Sequence, residues 1–184
     1  MLEFDVEMSR EGMTVPYAPI FDEIRRNYGF VDVRGRPDLA AKIPEGSKSS
    51  AMGKLLGNLS GLKSPLFTIG CDLGAKAPDH DATLHTAGGY IQVMSTKYAS
   101  CTPDDYTRFA FAIAKRLRAK SRDYNWKIQF VLTPVRFKLD NFNEMTGSLW
   151  VWFHALSDQA QHAMNSREAL LTALDKALAE EELH

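Results

Sequence analysis

The run from Thr102 to Leu117 constrains this chain more than any other, because it joins a complete helix-start signal to an apolar stripe that has to be covered. Thr102 is a natural N-cap, and Pro103 suits the first helical position, where a missing N–H costs nothing. Asp105 stands where a capping-box acid meets the positive end of the helix dipole. Tyr106, Phe109, Ala110, Ile113, Ala114 and Leu117 then recur at helical spacing on one face. Such a helix needs a sheet or other helices against it.

The flanking segments supply a sheet. Phe67, Ile69, Cys71 and Leu73 alternate with Thr68, Gly70 and Asp72; a polar loop follows from Gly74 to Gly88, and Tyr90 to Ser95 reads as a second strand. After the helix, Trp126, Ile128, Phe130 and Leu132 alternate with Lys127, Gln129 and Thr133, but beyond Pro134 the apolar parity moves to Val135, Phe137 and Leu139. A bulge or an edge position at Thr133-Pro134 is the expected cause. Met145-Thr146-Gly147 turns the chain into Ser148 to Leu156, apolar on both faces and therefore predicted to be a central strand. The last helix is predicted to be capped by Asn165 or Ser166, with Leu170, Leu171, Leu174 and Leu178 inside and the acidic run Glu180-Glu181-Glu182 after it. Residues 65–184 thus order as strand, strand, helix, strand, strand, helix. Short connections favour hairpins, so the predicted class is α+β, a mostly antiparallel sheet with helices packed on one face.

The first third is less regular. Leu2, Phe4, Val6 and Met8 alternate with Glu3, Asp5 and Glu7, the pattern of a half-buried strand. Tyr17, Ile20, Phe21, Ile24 and Tyr28 predict a short amphipathic helix between Pro16 and Gly29, and Phe30 to Val33 a brief strand. Residues 34–64 hold six Lys/Arg against two acids and five glycines, and read as a glycine-rich basic insertion in a single domain spanning 1–184. Met52, Leu55, Leu56, Leu59 and Leu62 keep helical spacing there, yet Gly53, Gly57 and Gly61 each cost about 1 kcal/mol relative to Ala in a helix. A mobile loop with a frayed helix is the expectation. The three glycines, four apart, would also form a seam where a partner backbone could approach closely.

At 45% hydrophobic and 24% charged residues, the composition excludes wholesale disorder, collagen-like and coiled-coil structures. A formal charge of -1 leaves no overall field to draw the chain onto nucleic acid or membrane. Cys71 and Cys101 are too few for a disulfide scaffold and are read as reduced. The acidic, alternating start lacks the features of a signal peptide, and the uncharged stretch Met145–Ser157 is shorter than the roughly 18 residues a membrane helix needs. A cytoplasmic, non-membrane protein is expected.

Three constellations could carry chemistry. Asp72, Asp79, His80, Asp81 and His85 combine carboxylates and imidazoles suited to a divalent ion, as a metal-dependent nuclease or hydrolase would require. Their spacing matches no stringent motif, and Asp and His are ordinary loop residues, so a solvated loop is the plainer reading. Gly46 to Leu55 invites comparison with a phosphate-binding loop, but six residues separate Gly46 from Gly53 and Leu55 follows Lys54 where a hydroxyl is required, which excludes nucleotide hydrolysis. Between Arg108 and Lys138 lie nine bases and one acid, whereas residues 140–184 hold two bases and eight acids. Arg108, Lys115, Arg118 and Arg122 fall within about 80° of one another on a helical wheel and form a basic ridge for phosphates or an acidic protein surface, the plainer reading being a solvated face. Trp126, Trp150 and Trp152 could stack on bases if exposed, but on strands of a small sheet they are expected in the core.

No nucleophile elbow or Cys-x-x-Cys pair is present. The function expected from these features is a non-enzymatic cytosolic binding or assembly protein, without a cofactor. Its protein partner would be met through Arg108, Lys115, Arg118 and Arg122 and the seam of Gly53, Gly57 and Gly61. The alternatives are the metal-dependent hydrolase and a nucleic-acid-binding module using the ridge.

Overall fold

The computed structural model describes residues 1–23, 26–74, 84–181 and 183. Among them the elements run β1 (Leu2–Met8), β2 (Met13–Val15), β3 (Ile20–Phe21), β4 (Arg26–Asn27), α1 (Pro37–Ala40), α2 (Pro44–Lys48), α3 (Ser50–Leu59), β5 (Leu66–Leu73) and β6 (His85–Ser95), then α4 (Pro103–Lys120), β7 (Asn125–Phe137), β8 (Glu144–Ser157) and α5 (Ala160–Glu180). The main sheet has the order β1-β7-β8-β6-β5, with β2 continuing along β7 beyond β1. β1 and β2 run parallel to β7, and the other pairings are antiparallel. This is an α+β fold with a mostly antiparallel sheet, as the alternating patterns of 65–184 require. β8, apolar on both faces, lies at its centre.

Helices cover one face. α4 packs on β1, β7 and β8, α5 on β8 and β6, and α3 on β5 and α5. Their stripes meet Ile91, Ile128, Phe130, Val151 and Phe153 in one buried cluster. The helix-start signal of α4 is realised: Thr102 Oγ1 accepts from Asp105 N at 3.3 Å, and Thr102 N donates to an Asp105 carboxylate oxygen at 2.8 Å.

Residues 34–64 depart from the expected loop. Met52, Leu55, Leu56 and Leu59 are buried in the main cluster. The cost of glycine in α3 is offset by docking on α5 at both ends. Glu168 accepts from Ser49 Oγ at 2.8 Å and from Ala51 N at 3.4 Å, while Asn58 donates to both Asp175 oxygens at 2.8 and 2.9 Å. Tertiary contact overrides local propensity here.

Five other expectations are corrected. The segment 17–28 is not a helix: β3 and β4 pair as a hairpin, Phe21 packs edge-on against Tyr28 at 5.5 Å, and Phe30 N bonds back to Tyr17 O at 3.0 Å; Ile24 lies outside the described residues. Pro16 and Pro19 lack the amide hydrogens a helix would use, and no strand forms at Phe30 to Val33. β7 carries no bulge at Thr133-Pro134, since its register with β8 runs unbroken from Asn125↔Leu156 to Phe137↔Glu144. The apolar residues change face because a second cluster, Val15, Phe67, Ile69, Met94, Val135 and Phe137, lies on the opposite side of the sheet. Pro134 is tolerated between the registers of β1 and β2, where β7's outer partner is interrupted. α5 begins at Ala160, before Asn165 and Ser166, and the Ser166 hydroxyl accepts from Trp126 Nε1–H at 3.0 Å instead of capping. β6 begins at His85, so the Gly88-Gly89 pair belongs to a strand. A β-carbon at Gly89 would run into the Asp72 carbonyl oxygen of β5, a close approach that only glycine allows.

Among the described residues no helix is long and apolar enough to cross a membrane. Cys71 and Cys101 are free thiols.

Candidate functional site

The open face of the sheet is covered unevenly. At one end the second cluster is roofed by Met13, Tyr17, Phe30, Tyr98 and Phe142. Arg34 spans it, its guanidinium 5.1 Å from the Phe67 ring centre and 5.8 Å from that of Phe137 while bonding Asp32 and Asp140. Further along, Trp150, Trp152 and Tyr90 are half-buried on this face. The two indoles lie parallel, 10° apart in plane with centres 5.6 Å apart, and Tyr90 stands 4.6 and 4.8 Å from them. Of the three tryptophans expected in the core, only Trp126 is there, packed parallel to Tyr124 at 4.8 Å. The pair on β8 is a self-packed stack, which leaves little free face for bases.

Beside this stack a cleft of about 650 Å³ follows the outer edge of β5. Its lining includes five consecutive strand residues, Thr68, Ile69, Gly70, Cys71 and Asp72, with Tyr90 on the neighbouring strand. One wall is Tyr17 with the turn at Asn27, Tyr28 and Gly29; the other comes from Leu39, Lys42, Ile43, Pro44 and Glu45 around α2. Each wall has a local cause. Gly29 turns the chain with φ +81, held by Asn27 Oδ1 on Gly29 N at 2.9 Å. Tyr17 is fixed by donating its hydroxyl to Ile69 O at 3.0 Å, and Pro44 starts α2, which carries Glu45 in its first turn.

The Cys71 thiol and the Tyr90 and Tyr17 phenols of the cleft are shifted toward their neutral forms. Burial first, then the negative charges of Glu45 and Asp72, push the Cys71 thiol up to about 12, so it stays protonated at neutral pH and is a poor nucleophile. Burial also raises the phenols of Tyr90 and Tyr17, which remain neutral donors. Glu45 and Asp72 make no hydrogen bond or ion pair with another described residue, while Lys42 is exposed at the rim and pairs with neither. The site therefore offers neutral hydroxyls, two carboxylates, aromatic surface and an open strand edge.

The residues singled out in the sequence are dispersed. Of the Asp/His group, Asp72 lines this cleft and His85 is exposed at the start of β6; Asp79, His80 and Asp81 lie outside the described residues. Among the described residues no three His, Cys, Asp or Glu side chains gather to hold a metal ion. Arg108, Lys115 and Arg118 are exposed on α4, over the opposite side of the sheet, and Arg122 lies in the turn after that helix. Arg108 is paired with Asp105, and Arg118 sits over the Phe4 ring at 5.9 Å. Arg116 on the same helix holds Glu180 and Glu181, so part of the acidic C-terminal run folds back onto the basic segment. The glycine seam is divided: Gly53 is filled by the backbone of Gly46 in α2, Gly57 faces open space, and Gly61 follows the end of α3.

Sequence reasoning missed Tyr17, Glu45, Cys71 and Tyr90 as a group. They come from separate elements, and no spacing connects them. No family model matches the chain, and no curated protein or solved structure matches it.

Proposed function

We propose that this chain is a non-enzymatic binding protein that acts through protein–protein contacts, and that it takes an extended segment of its partner along the edge of β5. One observation carries the proposal: five consecutive residues of an outer strand line an open cleft. An edge strand presents unpaired N–H and C=O groups, and a segment added there gains main-chain hydrogen bonds while its alternate side chains enter the cleft. Apart from the ladder with β6, no backbone–backbone hydrogen bond within Phe67–Leu73 is made among the described residues; of its carbonyls, Ile69 accepts from the Tyr17 hydroxyl and Gly70 from the Thr68 hydroxyl. The protonated Cys71 and neutral tyrosines favour binding over nucleophilic chemistry. A reducing, cytosolic setting accords with the two free thiols.

The test is selection from a displayed random library of short peptides, followed by hydrogen exchange on the protein with each selected peptide. Slowed exchange at residues 68–72 is the expected result. A library that yields no binder, or binders that protect the exposed face of α4 instead, overturns the proposal and, in the second case, moves the contact to the basic ridge.

A further inference from the structure

We propose that the segment bound along β5 carries a basic side chain, lysine or arginine, whose cationic head is held in the cleft by Glu45 and Asp72 against the ring of Tyr90. This rests on the strand-addition reading above and specifies its partner. Asp72 is the register partner of Tyr90 across β5 and β6, so its carboxylate and the phenol stand side by side on the same sheet face. Glu45, in the first turn of α2, lines the same cleft from the opposite wall. Neither has a counter-ion among the described residues, and Lys42, the only described cation of the lining, stays exposed at the rim.

Two half-buried carboxylates beside an electron-rich ring form a site that repels anions and, among the described residues, lacks a partner for its charge. An ammonium or guanidinium satisfies both parts, through charge-assisted hydrogen bonds to the carboxylates and attraction to the ring face. Alternation along an added strand decides where the basic residue falls. Only side chains on the Tyr90 face of the sheet can reach the carboxylates, so a basic residue at one position is read and its immediate neighbours are not.

The probes are amidated, acetylated peptides of about seven residues, the length of an ordinary strand, built on alternating valine and threonine. Their central residue is lysine, arginine, norleucine, citrulline or glutamate, and binding is followed by anisotropy with amide shifts read on the labelled protein. Lysine and arginine peptides are expected to bind saturably and shift residues 68–72. Norleucine and citrulline peptides are expected to bind about ten- to a hundredfold more weakly, and the glutamate peptide weaker still. The variant pair Glu45→Gln with Asp72→Asn is expected to erase the preference of lysine and arginine over norleucine and citrulline, and the amide spectrum of the labelled variant reports that the fold survives. Equal affinity of basic and neutral peptides overturns the charge recognition and leaves strand addition standing. A preference that persists in the double variant, or shifts confined to the acidic run at Glu180 and Glu181, also overturns it. Failure of every peptide to bind overturns both proposals together.

Discussion

On β8, Trp152 and Phe153 are neighbours in the chain and face opposite sides of the sheet. Phe153 is wholly enclosed by strand neighbours and helices, whereas Trp152 is half-buried in a stack of three aromatic rings. The helix side is covered by three long stripes from α3, α4 and α5. The other side is covered by a short N-terminal arm, one arginine and aromatic side chains packed on one another. Burial by whole helices encloses Phe153 completely; burial piece by piece leaves a cleft at the sheet edge. The difference teaches that the side of the sheet with the weaker cover is the side where a cleft remains.

The contrast can be broken first by truncating the two neighbours. Phe153→Ala is expected to destabilise the protein by about 3–5 kcal/mol, as a large cavity in a close-packed core does, measured by urea unfolding. Trp152→Ala should cost only about 1–2 kcal/mol, because part of its surface is already in water. Equal losses would mean that the open face is as tightly packed as the helix side.

A smaller effect is expected at Arg34, whose planar guanidinium both bonds Asp32 and Asp140 and lies over Phe67 and Phe137. Lysine keeps the charge but neither the fork nor the flat face, so Arg34→Lys should cost about 1 kcal/mol. An unchanged melting temperature would show that the roof over the second cluster does not depend on that stacking.

The smallest effect belongs to α4. Bonds from Thr102 and the Arg108 guanidinium hold the Asp105 carboxyl at about 2, below its ordinary 3.8. Its stabilisation is therefore fully present above about pH 4 and is lost as pH falls through about 2. Asp105→Asn should be less stable than the parent near neutrality, and acid unfolding curves should show the gap closing across that interval. A gap that stays constant would remove the charge from the cap's contribution.

The same contrast governs what could be read from sequence. α4 and the strands on either side were legible because each buries one periodic face against one layer, so periodicity and burial say the same thing. β7 misled because its apolar residues serve two clusters on opposite faces, which from one strand alone looks like a slipped register. The hairpin at 20–27 carried a helical spacing by coincidence, and Ser166 looked like a cap because no local pattern shows that Trp126 claims it. Of the cleft, Asp72 alone was singled out, and for a metal site. Tyr17, Glu45 and Tyr90 meet it only through sheet pairing and the docking of short helices, and those long-range contacts leave no periodic trace.

The parallel pairing of β1 with β7 has a consequence for how the chain is made. Leu2 pairs with Trp126, and the whole register of β1 joins positions more than a hundred residues apart. At roughly 5 to 20 residues per second, the first strand spends on the order of ten seconds of synthesis without its partner. Glu3, Asp5 and Glu7, alternating through that strand, give the nascent segment a charged row that discourages pairing with a neighbouring nascent chain. Once the sheet forms, Glu3 turns to the partner strand and pairs with Lys127 at 3.1 Å.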